Sequence, residues 1–478
     1  MLLVAYSLTV PRGGRYDDAV GRSGWKLWLT LILVPSVIVV AVISYLAWRQ
    51  SVPGVRAELS PIPRFLGARA TLSLRLRAAR GGVRNVELRL KQGQAQVVLA
   101  QQSFQAAAAE ERLLVTVEAA KLGLREGAAT LEVLARDGYW RPLRVDDQPA
   151  ATVQVTLDFT PPTLEVVSAT RYLSQGGGGV VVARAKGATR LGASVGGVVF
   201  PSFPAAEADS GLRVIMIALP WDFPGSSSVT VLAEDEARNS VTRTVPAEIK
   251  GRRFPAGTVD LSDEFLARKL PELLPERGAI PPDQAVSAFL TVNRDKRREA
   301  EAIKGQLAAK TQLRPLWEGA FLQPRNTKVF SNFAEKRSYR YQGREIDTQV
   351  HLGYDLASVK QSPVPAGNAG TVVFAGPLTI YGTTVVVDHG LGLQTLYAHL
   401  SSMAVKEGDE VKKGQELGRT GATGLAVGDH LHYEVLINGV SVTPLEWWDA
   451  KWIRDRIVRP LREANVPLLQ SEAGARPR

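Results

Sequence analysis

The chain contains no cysteine, and no histidine precedes residue 351. Without cysteine there is no disulfide framework, and any metal site must be built from nitrogen and oxygen donors. Basic residues are dispersed, not interleaved with aromatics on one face, so nothing reads as a nucleic-acid surface. Charge is also missing from one long stretch, Leu27 to Trp48, and all five histidines fall between His351 and His432.

What is present bounds the architecture. A chain of 478 residues exceeds what a single core organises, so about three or more domains are expected. The formal charge of +11 and pI near 9.8 suit an anionic partner such as membrane phospholipid, nucleic acid or an acidic wall polymer, without choosing among them. The uncharged stretch is long enough to span ~30 Å of hydrocarbon. Trp25 and Trp28 flank one end, and Tyr45 and Trp48 the other, as in interfacial aromatic belts. It exceeds the ~7–15 residues of a signal-peptide core, and no cleavage site follows it. The expectation is an uncleaved anchor. Arg12, Arg15, Arg22 and Lys26 precede it and favour a cytoplasmic N-terminus, so the bulk of the chain would lie outside the cytoplasm.

Residues 52–250 read as β-structure. Ala70–Arg77 and Val86–Leu90 alternate polar and apolar residues, the period of a strand with one face on a core. The glycine run Gly176 to Gly179 reads as a flexible loop, since it lacks the flanking pattern of a phosphate-binding loop. Thr130–Asp137 resembles Ser228–Asp235 at an offset of 98 (235 − 137), close to the ~100 residues of an immunoglobulin-like sandwich. Two β-sandwiches are expected, with one larger irregular β-domain as the alternative. Residues 260–315 read as a helical connector, with Ser262 capping its first helix and Asp263 and Glu264 in the first turn. Residues 316–447 are again β-rich. The tail 448–478 is amphipathic and expected to pack on its own domain.

Three fragments of the last domain carry chemistry: His351-Leu-Gly-Tyr-Asp355, Leu396-Tyr-Ala-His399 and Gly428-Asp-His430-Leu-His432-Tyr-Glu-Val435. Two histidines and a carboxylate form a common catalytic zinc shell with a fourth position open for water. In a strand His430 and His432 share one face, so one can hold a metal while the other works on substrate. Spacing alone leaves open which does which.

Residues 350–445 resemble the lysostaphin/LytM-type zinc metallopeptidases that cut bacterial peptidoglycan. The resemblance runs through His351-Leu-Gly-Tyr-Asp355, Pro363–Ala375, Tyr381–Gly390, Leu396–Ser401, Val411–Gly418, Gly421–Gly424 and His430–Val435. It implies Zn2+ bound by His351, Asp355 and His432, with His430 as general base and His399 orienting or stabilising the tetrahedral intermediate. It assigns no catalytic role to His389. Relatives often carry T/S-x-F-G-x-R upstream; here Ser331–Arg337 replaces that glycine with Ala334 and inserts a residue before Arg337. Asn326 and Asn332 are candidates for the fourth ligand that latent relatives use.

The whole chain is therefore expected to be multi-domain and mainly β. The expected order is a cytoplasmic N-terminus 1–24, a transmembrane helix 25–48, a β-sandwich-like domain 52–159, a second immunoglobulin-like domain 160–250, the connector 260–315, a LytM-type peptidase domain 316–447 and the tail 448–478. The implied function is a zinc endopeptidase of peptidoglycan, single-pass in the bacterial inner membrane and facing the periplasm or extracytoplasmic side. A regulatory protein partner is allowed for and a nucleic-acid partner is not. The alternative is a latent or non-catalytic activator of other wall hydrolases. A carrier-domain reading of Val405–Leu417 fails because no modifiable lysine follows at the hairpin tip.

Overall fold

The computed structural model describes residues 21–466 apart from 107, 146, 206–210 and 225–227, with backbone only for 21–27. The expected cytoplasmic N-terminus up to residue 20 and the tail beyond 466 lie outside the described residues. The chain is mainly β, 43% strand against 21% helix, and divides into two compact units, residues 1–159 and 160–478.

The first unit begins with helix α1, Gly21–Ser51. Its segment Trp28–Ser51 has a mean hydropathy of 2.6 and none of it is buried. A five-stranded sheet follows, in the order Phe65–Leu66, Ala151–Leu157, Gly127–Asp137, Val83–Gln92 and Ala95–Ser103. A three-stranded sheet of Arg56–Leu59, Ala70–Arg77 and Glu110–Val117 shares its core. The alternation read from sequence is the alternation of burial. Leu72, Leu74 and Leu76 enter from one sheet and Val86, Leu88 and Leu90 from the other.

In the second unit, residues 163–244 form two four-stranded sheets whose core is continuous with that of the last domain. The glycine run is not a flexible loop. Gly178 opens the buried strand Gly178–Lys186, and Gly177 and Gly178 lie where two elements meet. A Cβ on Gly177 would stand 2.5 Å from Glu446 Oε1, and one on Gly178 2.7 Å from Ile437 Cδ1. Only glycine permits that approach.

The connector is not a spacer either. Helices α2 (Asp263–Leu273), α3 (Ala285–Leu290) and α4 (Arg297–Leu307) bury Phe265, Leu270, Phe289 and Leu307 against Val386, Leu396 and Leu436 of the large sheet. Their apolar faces need that cover, which a free-standing linker would lack. Ser262 does cap α2, its hydroxyl accepting from Phe265 N at 3.1 Å. Just before α2, Ala256–Leu261 adds in parallel to the hairpin Glu335–Tyr341 and Arg344–His351.

The large antiparallel sheet runs Lys328–Ser331, Tyr354–Ala357, Leu431–Ile437, Leu393–Ala398, Thr383–Asp388, Gly370–Pro377 and Glu410–Val411. Leu431–Ile437 is fully buried along its length. The C-terminal helical segment packs, as expected, but on the preceding sandwich. Ser168 and Thr170 donate to Pro460 O and Arg456 O, each at 2.6 Å. Helix α5 (Pro444–Trp448) joins these layers through Trp447, which is wholly buried edge-on to Trp317 and Phe321. Trp447→Ala is expected to lower the unfolding free energy of this unit by about 3–5 kcal/mol, measured by chemical denaturation.

Candidate functional site

Strand register assembles the site. Asp355 lies opposite His432 on one side of Leu431–Ile437, and Ala398 lies opposite His432 on the other, so His399 follows at the strand end. His351 closes the neighbouring hairpin. Gly353 lets these strands meet, because a Cβ there would stand 2.7 Å from His432 Nε2. The five positions singled out for zinc chemistry, His351, Asp355, His399, His430 and His432, therefore converge. His389 does not. It is buried elsewhere, bonded to Ala369 O and Thr395 Oγ1 at 2.7 Å each, and burial pushes it down to about 4.

Hydrogen bonds fix the tautomers of the two inner rings. His351 Nδ1 donates to Asn332 O at 2.9 Å, and His432 Nε2 donates to Glu434 Oε1 at 2.9 Å. With both rings neutral, His351 Nε2 and His432 Nδ1 present lone pairs 2.9 Å apart, each 3.0 Å from Asp355 Oδ1. Three acceptors crowded in a buried space repel one another unless a cation stands between them. Their spacing is close to the roughly 3.3 Å edge of a tetrahedron with bonds of about 2.0 Å. The donor set fits a divalent metal on these grounds.

The electrostatics agree. Burial pushes His351 down to about 4, against the pull of Asp355. Burial opposes ionisation of Asp355, yet its contacts with His351, His430 and His432 hold it well below the usual carboxylate range. Burial would also lower His432, but Asp355 and Glu434 raise it above its ordinary value. A proton on His432 can point at one acceptor, whereas a cation at the centre faces all three.

The outer histidines are held through Nδ1. His430 Nδ1 donates to Gly428 O and His399 Nδ1 to Thr423 O, both at 2.8 Å, which leaves Nε2 as the free nitrogen of each ring. Their ring centroids are 4.9 Å apart, and His430 Nε2 is 3.4 Å from Asp355 Oδ1. Burial, reinforced by His430 and His432, holds His399 well below its ordinary value. His399 adopts φ +60°, a sparsely populated backbone region that stores strain at the site. A groove of about 510 Å³ runs past these rings, walled by Val259, Phe265 and Phe289 from upstream elements and by Leu425 and Ala426.

The departing upstream stretch still serves the site. Ala334 takes φ +59°, the left-handed region that suits the glycine of relatives. Arg337 reaches Asp355 Oδ2 and Ser331 Oγ, both at 2.7 Å. Asn332 contributes its backbone carbonyl, and Asn326 sits exposed in a turn.

Three residues were not anticipated as part of the site. Arg337 was noted only for its altered spacing. Glu434 follows His430 and His432 at the period of a strand face, and that signal could have found it. Lys304 on α4 is fully buried. Its Nζ donates to Glu434 Oε2 at 2.9 Å and to Tyr381 OH and Ser441 Oγ at 3.2 Å each, and it forms an ion pair with Glu301 Oε1 at 2.7 Å. Burial opposes its charge, but Glu301 and Glu434 keep it raised, so the lysine stays protonated.

The model of peptidase family M23 matches residues 349–444. Over 117 residues the chain is 38% identical to the DD-carboxypeptidase/endopeptidase Mpg of Neisseria meningitidis serogroup B, covering 24% of this chain and 27% of that protein. Over 119 residues it is 35% identical to the peptidoglycan DD-endopeptidase ShyA of Vibrio cholerae, covering 25% and 27%. It thus spans about a quarter of the length of these curated relatives. The catalytic domain of lysostaphin from Staphylococcus simulans is 28% identical at a TM-score of 0.22, covering 26% of this chain and 92% of that one.

Lys304→Met should leave Glu434 free to swing from His432 and weaken metal binding about 10–100-fold, as loss of a residue bonded to a ligand commonly does. Competition against a chromogenic chelator measures this. The double variant Lys304→Met with Glu434→Gln removes both buried charges and separates lost orientation from lost folding. Wild-type affinity in a folded Lys304→Met protein would refute the coupling.

Proposed function

We propose, on the premise that residues 349–444 form a peptidase family M23 domain, that this chain is a membrane-anchored zinc metalloendopeptidase cutting peptide bonds in the stems or cross-links of bacterial peptidoglycan. The observation that carries the reading is the trio of facing ligand atoms on His351, Asp355 and His432, 2.9–3.0 Å from one another. Zinc suits this donor set, and when bound with a position open it polarises a carbonyl and makes hydroxide available near neutral pH.

The chain's own side chains handle the protons and the charge. His430, anchored at Nδ1, accepts the proton of the attacking water at Nε2 and returns it to the leaving amine. His399, kept neutral by burial beside it, orients the water and then the tetrahedral species through Nε2. Arg337 holds Asp355 ionised and fixed. The groove excludes water along its apolar wall, where a peptide's side chains can lie.

The relatives named as DD-endopeptidases support peptidoglycan as the substrate class. That polymer is reached outside the cytoplasm, which accords with α1 as a single-pass anchor in the inner membrane and the site on the periplasmic or extracytoplasmic face. A latent form of the same enzyme has one observation in its favour. Helix α2 walls the groove and is tied to the loop before His430. Lys269 Nζ donates to Ala422 O at 2.5 Å, and Gly424 N donates to Glu272 Oε1 at 2.7 Å. A regulatory protein that moves α2 would then open the groove.

Purified sacculi incubated with the full chain are expected to release new peptide ends, and a zinc chelator should abolish the release. His432→Ala should lose metal and activity together, while His430→Ala loses activity but keeps metal. Zinc-loaded protein that releases nothing would favour the latent reading, and full zinc occupancy in His432→Ala would overturn the ligand assignment.

A further inference from the structure

Outside the peptidase site, the first unit presents apolar side chains that its own fold leaves uncovered. Trp140, Leu143 and Val145 are 55%, 76% and 68% exposed, all within the loop that follows strand Gly127–Asp137. Leaving three such groups in water forfeits burial free energy. The loop is nevertheless rigidly held. Asp137 is buried and receives both terminal nitrogens of Arg141, at 2.8 and 2.9 Å, and Arg144 Nη2 at 2.5 Å. Arg141 also donates to Val52 O at 2.9 Å and Pro53 O at 2.7 Å, just past the end of α1.

A second set of bonds ties the loop to α1 itself. Arg49 Nε and Nη2 both donate to Trp140 O, at 3.1 and 3.0 Å. Leu143 N donates to Gln50 Oε1 at 3.0 Å, and Gln50 Nε2 donates back to Leu143 O at 3.4 Å. The Arg49 guanidinium lies 4.2 Å from the Tyr139 ring centroid and 5.2 Å from that of Trp140. Tyr45 and Trp48 sit half exposed on the same end of the helix, with Arg80 over the Trp48 ring at 5.2 Å. The uncovered tips are thus fixed where the uncharged span ends. Indole and phenol rings and snorkelling arginines favour that depth of a bilayer.

We propose that the loop 138–145 is a membrane-surface contact, in which Trp140, Leu143 and Val145 enter the headgroup and acyl boundary of the bilayer that α1 spans. Arg49 and Arg80 meet the anionic headgroups beside them. The occupant is lipid because the loop is continuous, through Arg49 and Gln50, with an apolar helix none of whose span is buried. The proposal rests on the reading of α1 as an anchor. Its consequence is that the first β-unit is held at the bilayer in one orientation instead of swinging about residues 52–55.

The absence of native cysteine makes the test clean. The full chain is placed in vesicles of phosphatidylethanolamine and phosphatidylglycerol. A polarity-sensitive fluorophore is attached at Leu143→Cys or, separately, at Val37→Cys, both exposed positions whose substitution spares the fold. Blue-shifted emission at both positions, quenched by brominated lipids and shielded from iodide, is the expected result. A lipid-quenched label at 37 with an iodide-quenched label at 143 would overturn the surface contact while leaving the anchor standing. Iodide quenching at both would remove the anchor, and the contact with it.

Discussion

Charge at the centre of the large sheet governs the rest of the second unit. Two carboxylates, Asp355 and Glu434, are buried beside two histidines whose lone pairs face inward. Each carboxylate divides its oxygens in the same way. Asp355 gives Oδ2 to Arg337 and Oδ1 to the histidines, and Glu434 gives Oε2 to Lys304 and Oε1 to His432. Each buried carboxylate thus has a cation beside it, and Lys304 is shared with the half-exposed Glu301. An unpaired buried carboxylate would cost several kcal/mol and would tend to take up a proton. Both cations come from sequence upstream of 349, outside the segment that matches the peptidase family. The chemistry of the matched segment therefore depends on α4 and on the Glu335–Tyr341 strand to stay ionised and oriented.

That dependence accounts for the packing of residues 256–307. A linker would have no reason to send a lysine into a sheet core, since ordering its side chain and stripping its water are both unfavourable. Lys304 goes there because Glu434, Glu301, Tyr381 and Ser441 replace that water. Helices α2 and α3 pack on the same face beside α4 and form a wall of the groove.

The sequence made some of this legible and hid the rest for identifiable reasons. His351, Asp355, His399, His430 and His432 stood out because histidine is scarce and the fragments keep the spacing of one family. Alternation in Ala70–Arg77 gave strand and face directly, because period two is a local property. Lys304 carried a weaker signal: it shares a helix face with Ala300 and Leu307, but a lysine is ordinarily solvated, and only a partner 130 residues away accounts for its burial. The glycine run 176–179 was misread for a related reason. Glycine marks both freedom and close approach, and only the neighbours Glu446 and Ile437 show that here it is close approach.

The faint repeat ends on an aspartate in both copies, and the two copies use it differently. Asp235 accepts from Asn239 N and Nδ2 at 2.8 and 2.9 Å, closing a tight turn between consecutive strands. Asp137, at the matching position, instead gathers Arg141 and Arg144 and opens into a longer loop. A short turn satisfies an aspartate with backbone and amide donors and projects nothing outward. Two arginines in their place need room for their stems, and the lengthened loop raises Trp140 and Leu143 to the end of α1. Among the described residues the second copy has no long apolar helix before it and keeps the short turn, so the two copies differ where a loop of the first lies against the end of α1.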